Sequence, residues 1–130
     1  MPLDIQRLED GGLIVTGRGI VTGSDFVEHA KRAGKIRETE SIRYQLVDWT
    51  KAEGIDLTKS DMQRMTALLI DAVRVNGQLH VAIVGDRDLF YGIARMWQSS
   101  DKVTNERVMV FRNMPDAKKW LQRKTGKPAG

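Results

Sequence analysis

The chain has 130 residues, of which 41% are hydrophobic and 29% are charged, a balance that predicts one folded domain with its own core. It has no cysteine, which excludes disulfides, thiolate catalysis and cysteine-ligated zinc. No apolar run approaches the roughly 20 residues that a membrane-spanning helix needs. The first residues also lack a basic segment followed by an apolar one. We therefore expect a cytoplasmic protein without an integral membrane segment.

The formal net charge is +4, and an excess of basic residues is a feature of nucleic-acid-binding proteins. Here the basic residues are spread along the chain. Those between Lys31 and Arg37 lie close to Glu28, Glu38 and Glu40. Others lie near the C-terminus, where cations favour the negative end of a final helix. The pattern is typical of a solvated surface, and we expect no nucleic-acid partner.

Strands and helices are predicted to alternate after an N-terminal β-hairpin at residues 3–18. Further strands are predicted at Arg43–Trp49, Val81–Val84 and Arg107–Phe111, and helices at residues 22–37, from Thr58 or Ser60 to about Asn76, at 88–99 and at 115–124. The order ββαβαβαβα predicts an α/β domain with a mixed, mostly parallel sheet of four or five strands and about four helices. We assign residues 1–124 to this single domain and expect 125–130 to be a frayed tail.

Capping residues mark the start of the first helix. Thr22 is predicted to be its N-cap, with Asp25 three residues later in a variant of the capping box. His29 follows Asp25 by four residues, so we expect these two side chains to pair on the helix surface.

The segment from Leu79 to Ser99 predicts a buried strand, a tight turn and a helix. Val81–Val84 is apolar on both faces, as in the middle of a parallel sheet. Asp86 or Asp88 can cap the helix that follows. Within that helix, Arg95 lies between apolar neighbours, so its stem is expected to cover the helix flank while its guanidinium reaches a carboxylate.

Polar residues follow two strands that are predicted to be parallel. Asp48, Trp49 and Thr50 lie at the end of one strand, and Asp86 follows the other. Helix N-termini and ligands commonly meet at this carboxyl edge of a sheet. A binding site is therefore predicted there. The alternative is that the two carboxylates only cap backbone amides and that Trp49 covers an edge of the core.

No catalytic arrangement is visible. A Gly-x-Ser-x-Gly elbow is absent, and the only histidines, His29 and His80, would need carboxylates beside them to hold a metal. Residues 17–22 resemble a dinucleotide fingerprint, but Thr22 replaces the third glycine, so a strand exit with a helix cap is favoured. We expect no enzymatic activity, no metal and no cofactor.

Taken together, six segments resemble the STAS domain of sulfate transporters and anti-sigma-factor antagonists, and in particular its soluble SpoIIAA-like branch. They are Gly19–Thr22, Leu46–Thr50, Val81–Val84, Leu89–Met96, Val110–Arg112 and Ala117–Leu121. The helix with Tyr-Gly-Ile-Ala-Arg-Met is the most distinctive of them. The resemblance implies a SpoIIAA-like fold and a non-enzymatic domain that works by binding. It also implies, by analogy, a lipid or other apolar ligand between helices and sheet.

The anti-sigma antagonists of this family carry a phosphorylatable serine in an Asp-Ser-Ser-Gly motif at a helix N-terminus. This chain lacks that motif between Asp48 and its second helix. Thr58 and Ser60 occupy the corresponding region, and they are the candidates for a phospho-acceptor.

We therefore expect a STAS-like regulatory or protein-interaction module without catalysis. The alternative is a carrier or sensor of a small apolar or anionic, lipid-like ligand, with Arg95 as its polar anchor. The predicted ligand or partner surface consists of Asp48, Trp49, Thr50, Asp86, Tyr91, Arg95 and Trp97. Tyr91 and Trp97 would otherwise pack in the core. Apolar surface on the second helix and near Trp97 also allows a homodimer.

Overall fold

The computed structural model describes residues 3–88, 90, 91 and 106–126. The elements in chain order are β1 (Leu3–Arg7), β2 (Gly12–Gly17), β3 (Gly19–Thr22), α1 (Gly23–Thr39), β4 (Tyr44–Asp48), β5 (Ala52–Asp56), α2 (Lys59–Val75), β6 (His80–Val84), β7 (Val108–Phe111) and α3 (Met114–Thr125). Three of the four predicted helices are thus confirmed, and most of the fourth, at 88–99, lies outside the described residues. No helix in the described ranges is long and apolar enough to cross a membrane.

Five strands form the main sheet, in the spatial order β1-β2-β4-β6-β7. β1 is antiparallel to β2, whereas the pairs β2–β4, β4–β6 and β6–β7 are parallel. The hairpin turn uses Gly11 at a φ of 89°, which is a left-handed conformation that glycine adopts without strain. The predicted α/β class, the N-terminal hairpin and the mostly parallel sheet are all confirmed.

A second, two-stranded sheet was not expected from the sequence. β3 pairs with β5 in parallel, from Gly19 opposite Ala52 to Thr22 opposite Asp56. Residues 17–22 were predicted to be a strand exit with a helix cap, and no strand was predicted between Trp49 and the second helix. Because β3 follows β2 closely and β5 follows β4, the small sheet extends from the carboxyl edge of the main sheet. It leads directly into the starts of α1 and α2.

The helices divide the core into two layers. α1 and α2 cover one face of the sheet, which we call the α1–α2 face. Its buried residues include Phe26, Val47, Met65, Val81 and Ile83. α3 covers the opposite face, the α3 face, where the buried residues are Tyr44, Leu46, Ala82, Val84, Ala117, Trp120 and Leu121. The prediction that Ala117, Trp120 and Leu121 face inward is confirmed.

Both helices of the α1–α2 face begin with a complete capping box. Thr22 caps α1, and its backbone N–H donates to Asp25 Oδ2 at 2.8 Å. Of the two predicted starts for α2, Thr58 is the cap. Its Oγ1 accepts from the backbone N–H of Asp61 at 3.0 Å, and its own N–H donates to Asp61 Oδ2 at 3.0 Å. These bonds satisfy amide groups that a helix start otherwise leaves without partners.

The starts of α1 and α2 lie against each other. A Cβ atom added to Gly23, the first residue of α1, would lie 2.3 Å from Cγ of Asp61. Real side chains do not approach so closely. A side chain at position 23 would therefore have to displace the Asp61 carboxylate. The carboxyl edge carries both helix starts side by side.

Candidate functional site

Asp48 ends β4 and closes a tight turn with its own carboxylate. Its Oδ1 accepts from the backbone N–H of Thr50 at 2.8 Å and from the Thr50 hydroxyl at 2.6 Å. The Asp48 side chain is buried. This is the local side-chain-to-backbone bonding that competes with regular structure, so Asp48 here holds the connection between β4 and β5.

Trp49 is a core residue, and the prediction that placed it on a binding surface is wrong. Its side chain is fully buried, and its ring packs edge-on against Phe26 with centroids 5.7 Å apart. Side chains alternate between the two faces along a strand. Because the chain continues directly from β4, the side chain after Asp48 lies on the α1–α2 face. A large apolar ring gains more free energy there than at the sheet edge.

After β6 a short loop contains Asp86, and Asp88 and Tyr91 belong to the helix that follows it. Asp86 is exposed. Asp88 was a candidate helix cap, and its carboxylate accepts from Arg112 Nη1 at 2.8 Å. The same guanidinium lies 4.2 Å from the centroid of the half-buried Tyr91 ring. Arg95 and Trp97 lie outside the described residues.

Arg87 holds this loop against the small sheet, and the sequence analysis did not single it out. Its guanidinium lies 4.1 Å from the ring centroid of the buried Phe90 and also donates to the backbone carbonyl of Ala52, the first residue of β5. A lone arginine between two aspartates gives no sequence signal for such a long-range contact.

Thr58 and Ser60 are both exposed at the start of α2. The structure thus brings together, along one edge, the Asp48–Thr50 turn, the small sheet and the starts of α1 and α2. We call this the carboxyl edge. Ile20 of β3 adds an apolar side chain to it, 60% exposed, and lies over Gly54 of β5.

Three polar side chains, His29, Arg37 and Gln45, lie inside the otherwise apolar α1–α2 face, and we call them the polar trio. His29 and Gln45 are buried. Gln45 Nε2 lies 3.4 Å from His29 Nε2, and Arg37 Nη1 donates to Gln45 Oε1 at 3.3 Å. The prediction of a surface pair between His29 and Asp25 is wrong, because the Asp25 carboxylate is used by the Thr22 cap.

The polar trio fixes the tautomer of His29. Because Arg37 can only donate, the Gln45 oxygen faces Arg37 and the Gln45 amide nitrogen faces His29. His29 Nε2 then accepts, and the ring proton lies on Nδ1, which is buried and has no hydrogen-bond partner among the described residues. Burial, followed by the positive charges of Arg32 and Arg37, lowers the pKa of His29 from 6.5 to about 4. The ring is therefore neutral at pH 7.

Within the described ranges, no group of three or more histidine, aspartate and glutamate side chains is placed to hold a metal ion. The polar trio contains a single histidine and no carboxylate, so it does not form a metal site either.

Comparison with solved structures identifies the architecture. An uncharacterised protein of the DUF3478 family with a SpoIIAA-like fold, from Shewanella loihica PV-4, aligns with a TM-score of 0.57 and 21% identity, over 92% of this chain and 91% of that one. The anti-sigma factor antagonist SpoIIAA in its unphosphorylated form aligns with a TM-score of 0.61 and 5% identity, over 96% and 99%. The chain has a SpoIIAA-like fold.

The Bacillus cell fate determinant SpoIIAA in its phosphorylated form aligns in the same way, with a TM-score of 0.60 and 5% identity, over 88% of this chain and 95% of that one. No protein-family model matches the sequence, and no curated protein matches it. At these identities the likeness shows the SpoIIAA-like fold and leaves function to the site.

Proposed function

We propose that the chain is a regulatory binding module that uses its SpoIIAA-like fold to engage a protein partner and performs no catalysis. One of its structural neighbours is an anti-sigma factor antagonist, which supports a regulatory role. The observation that carries the proposal is the carboxyl edge, where two capped helices begin beside an exposed apolar side chain.

The chemistry of the carboxyl edge suits a partner surface. Helix starts carry partial positive charge, which attracts acidic groups of a partner. Ile20 supplies exposed apolar area on the same edge, and Thr50, Thr58 and Ser60 supply hydroxyl groups along it. An apolar centre with a polar rim is the common anatomy of protein interfaces. Asp86 and Tyr91 would extend this surface along the β6 loop.

The matched variants Thr58→Glu and Thr39→Glu test this proposal. Both residues are exposed, but Thr58 starts α2 whereas Thr39 ends α1. Affinity capture from a lysate of the native cells, followed by titration of the purified partner, would measure binding. We expect Thr58→Glu to weaken the partner complex at least about tenfold, the effect of losing one good interface contact, and Thr39→Glu to leave it unchanged.

Equal binding by Thr58→Glu and the wild type would contradict the location of the partner surface. Turnover of a metabolite by the purified protein, lost on substitution at the carboxyl edge, would contradict the absence of catalysis. A specific partner that binds Thr39→Glu and not Thr58→Glu would support the location of the partner surface.

We also propose Ser60, ahead of Thr58, as the phospho-acceptor of this edge. A phosphate near the start of a helix is stabilised by the helix dipole, and Ser60 is the second residue of α2. The Thr58 hydroxyl is already engaged with the N–H of Asp61. Phosphopeptide mapping of protein isolated from its native cells tests this, and phosphate on neither residue would contradict it.

A cytoplasmic location, a homodimer and a lipid-like ligand stay predictions. Arg95 and Trp97, which were expected to take part in binding such a ligand, lie outside the described residues. The described residues instead line a partly open cavity on the α1–α2 face.

A further inference from the structure

A cavity of about 90 Å³ lies between α1, α2 and the α1–α2 face of the sheet. Its wall is mostly apolar. Residues from both helices and from three strands line it, among them Val15, Phe26, Met65, Leu69, Leu79 and Ile83. Protein interiors rarely leave a space larger than a water molecule empty, so this cavity is a candidate site for a small apolar group.

The polar trio lines the same cavity and gives it one polar end. Gln45 stands in a row of inward-facing residues whose register partners are Leu13 and Val81. An apolar residue at position 45 would complete that row. Buried polar groups reduce stability unless they are paired, and one His29 nitrogen has no partner among the described residues. A departure from good packing of this kind is expected at a functional site.

Arg37 connects the cavity with the protein surface. It also lines a neighbouring, larger groove of about 640 Å³ at the ends of α1 and α2, together with Ala72, which lines both spaces. The Arg37 guanidinium is therefore at the mouth of the cavity. A ligand whose apolar part lies inside the cavity would have its charged group at this position.

Arg37 has spare capacity for an anion. A guanidinium carries five N–H donors, and one of them donates to Gln45 at 3.3 Å. No carboxylate among the described residues forms an ion pair with it. Asp71 is close enough for its charge to raise the pKa of Arg37, although burial has the larger, opposite effect. A half-buried arginine in this state pairs well with a carboxylate, which it can bind through two parallel hydrogen bonds.

We infer that this cavity binds a small aliphatic monocarboxylate, with its hydrocarbon chain inside the cavity and its carboxylate on Arg37. The cavity is smaller than an engineered one of about 150 Å³ that holds benzene, so a chain of about four or five carbons suits it. His29 is a positioning residue in this site. It accepts from the Gln45 amide, which turns the Gln45 oxygen towards Arg37 and orients the guanidinium.

Titration calorimetry of the full chain at pH 7 with sodium pentanoate tests the inference. We expect one saturable site. Arg37→Gln should weaken binding about tenfold to a hundredfold, which corresponds to the loss of a hydrogen bond to a charged group. Arg64→Gln removes the same charge from an exposed position on α2 that does not line the cavity, and it should bind as the wild type does. Pentanol, which lacks the carboxylate, should bind at least about tenfold more weakly than pentanoate.

Filling the cavity gives a second variant that does not depend on Arg37. Ala30 lines the cavity, and in Ala30→Leu the larger side chain should abolish pentanoate binding while circular dichroism shows a folded protein. Absence of saturable binding to the wild type, equal affinity for pentanol, or unchanged affinity in Arg37→Gln or Ala30→Leu would each overturn the inference. Thr58→Glu should leave pentanoate binding intact, so this test and the partner test fail independently.

Discussion

The two faces of the sheet are packed in different ways. On the α3 face the backbone itself is close to the side chains: a Cβ atom added to Gly12 would lie 2.1 Å from the Tyr44 ring. The Tyr44 hydroxyl donates to the Asp10 carboxylate at 2.8 Å, so its polar end is satisfied at the rim. The α1–α2 face instead has a partly open cavity that is lined in part by the polar trio. One face of this SpoIIAA-like fold is thus closely filled, while the other holds space and polar groups.

The contrast indicates a division of roles between the faces. Close packing adds stability in proportion to the contacts made, and a void forfeits those contacts. We infer that the α3 face contributes mainly to stability and that the α1–α2 face gives up part of its stability for a binding role. Substitutions of the same kind on the two faces should then have different effects.

The largest difference should come from Leu121→Ala and Leu79→Ala. Both leucines are fully buried, but Leu121 packs in the α3 face and Leu79 lines the cavity. We expect Leu121→Ala to lower the free energy of unfolding by about 4 kcal/mol. The loss for Leu79→Ala should be about 1 kcal/mol smaller, because Leu79 already lacks contacts on the side that lines the cavity. Urea denaturation measures both values. An equal or larger loss for Leu79→Ala would remove the contrast.

Enlarging a small residue should lower the free energy of unfolding on the α3 face but not on the α1–α2 face. Ala117 is fully buried on the side of α3 that faces the sheet, so Ala117→Leu should overpack that face and lower the free energy of unfolding by about 2 kcal/mol. Ala30→Leu places the same side chain at the cavity, and it should leave stability unchanged or raise it by about 0.5 kcal/mol. The same denaturation experiment compares the two variants. A loss of similar size in both would show that the cavity cannot accept the chain.

Stability should depend on pH through His29 of the α1–α2 face. Its pKa falls from 6.5 to about 4 on folding, mainly because of burial. The unfolded chain therefore binds the proton more tightly, and the stability due to the neutral ring is present above about pH 6.5 and is lost as pH falls towards about 4. Between pH 7 and pH 5 this amounts to about 2 kcal/mol.

The variant His29→Gln isolates this effect, because its free energy of unfolding should fall less than that of the wild type over the same pH range. Burial also lowers the pKa of His80, so His80→Gln is the matched control for the other histidine. Identical pH profiles for His29→Gln and the wild type would show that His29 is not held neutral by burial.

Substitution of a helix cap should have the smallest effect on stability, and the effect should be the same on both faces. It therefore serves as a reference for the differences above. Thr58 caps α2, and Asn113 caps α3 by accepting from the N–H of Asp116 at 2.9 Å. We expect Thr58→Ala and Asn113→Ala each to lower the free energy of unfolding by about 1 kcal/mol. A cap contributes through local hydrogen bonds, whatever the packing behind it. If the two losses differ by more than about 1 kcal/mol, one of the two helix starts makes further tertiary contacts.

The elements with local signals were predicted well from the sequence. The hairpin, the alternation of strands and helices, and the caps Thr22 and Thr58 all depend on residues that are close in the chain. The parallel pair β3–β5 was missed because each strand is short and contains a glycine, and because its partner lies some thirty residues away. Such pairing leaves no periodic pattern in the sequence.

The binding surfaces were predicted less well, for a physical reason. The spacing of four residues predicted a pair between His29 and Asp25. In the structure the Asp25 carboxylate is bound to Thr22 in the helix cap, and His29 is buried against the sheet. Gln45 is a polar residue inside an otherwise apolar strand. This was the feature of the sequence from which the polar trio could have been predicted. The volume of a cavity depends on how two helices sit on a sheet, which no single segment encodes.

The contact of Gly23 with Asp61 has a consequence for mutational tolerance. Asp61 completes the capping box of α2, so a side chain at position 23 would push that carboxylate away from the two bonds it forms with Thr58. A saturation library should therefore be depleted of nearly every replacement at this position. The rare survivors should carry a smaller residue at position 61, and the two sites would then vary together, although 38 positions separate them along the chain.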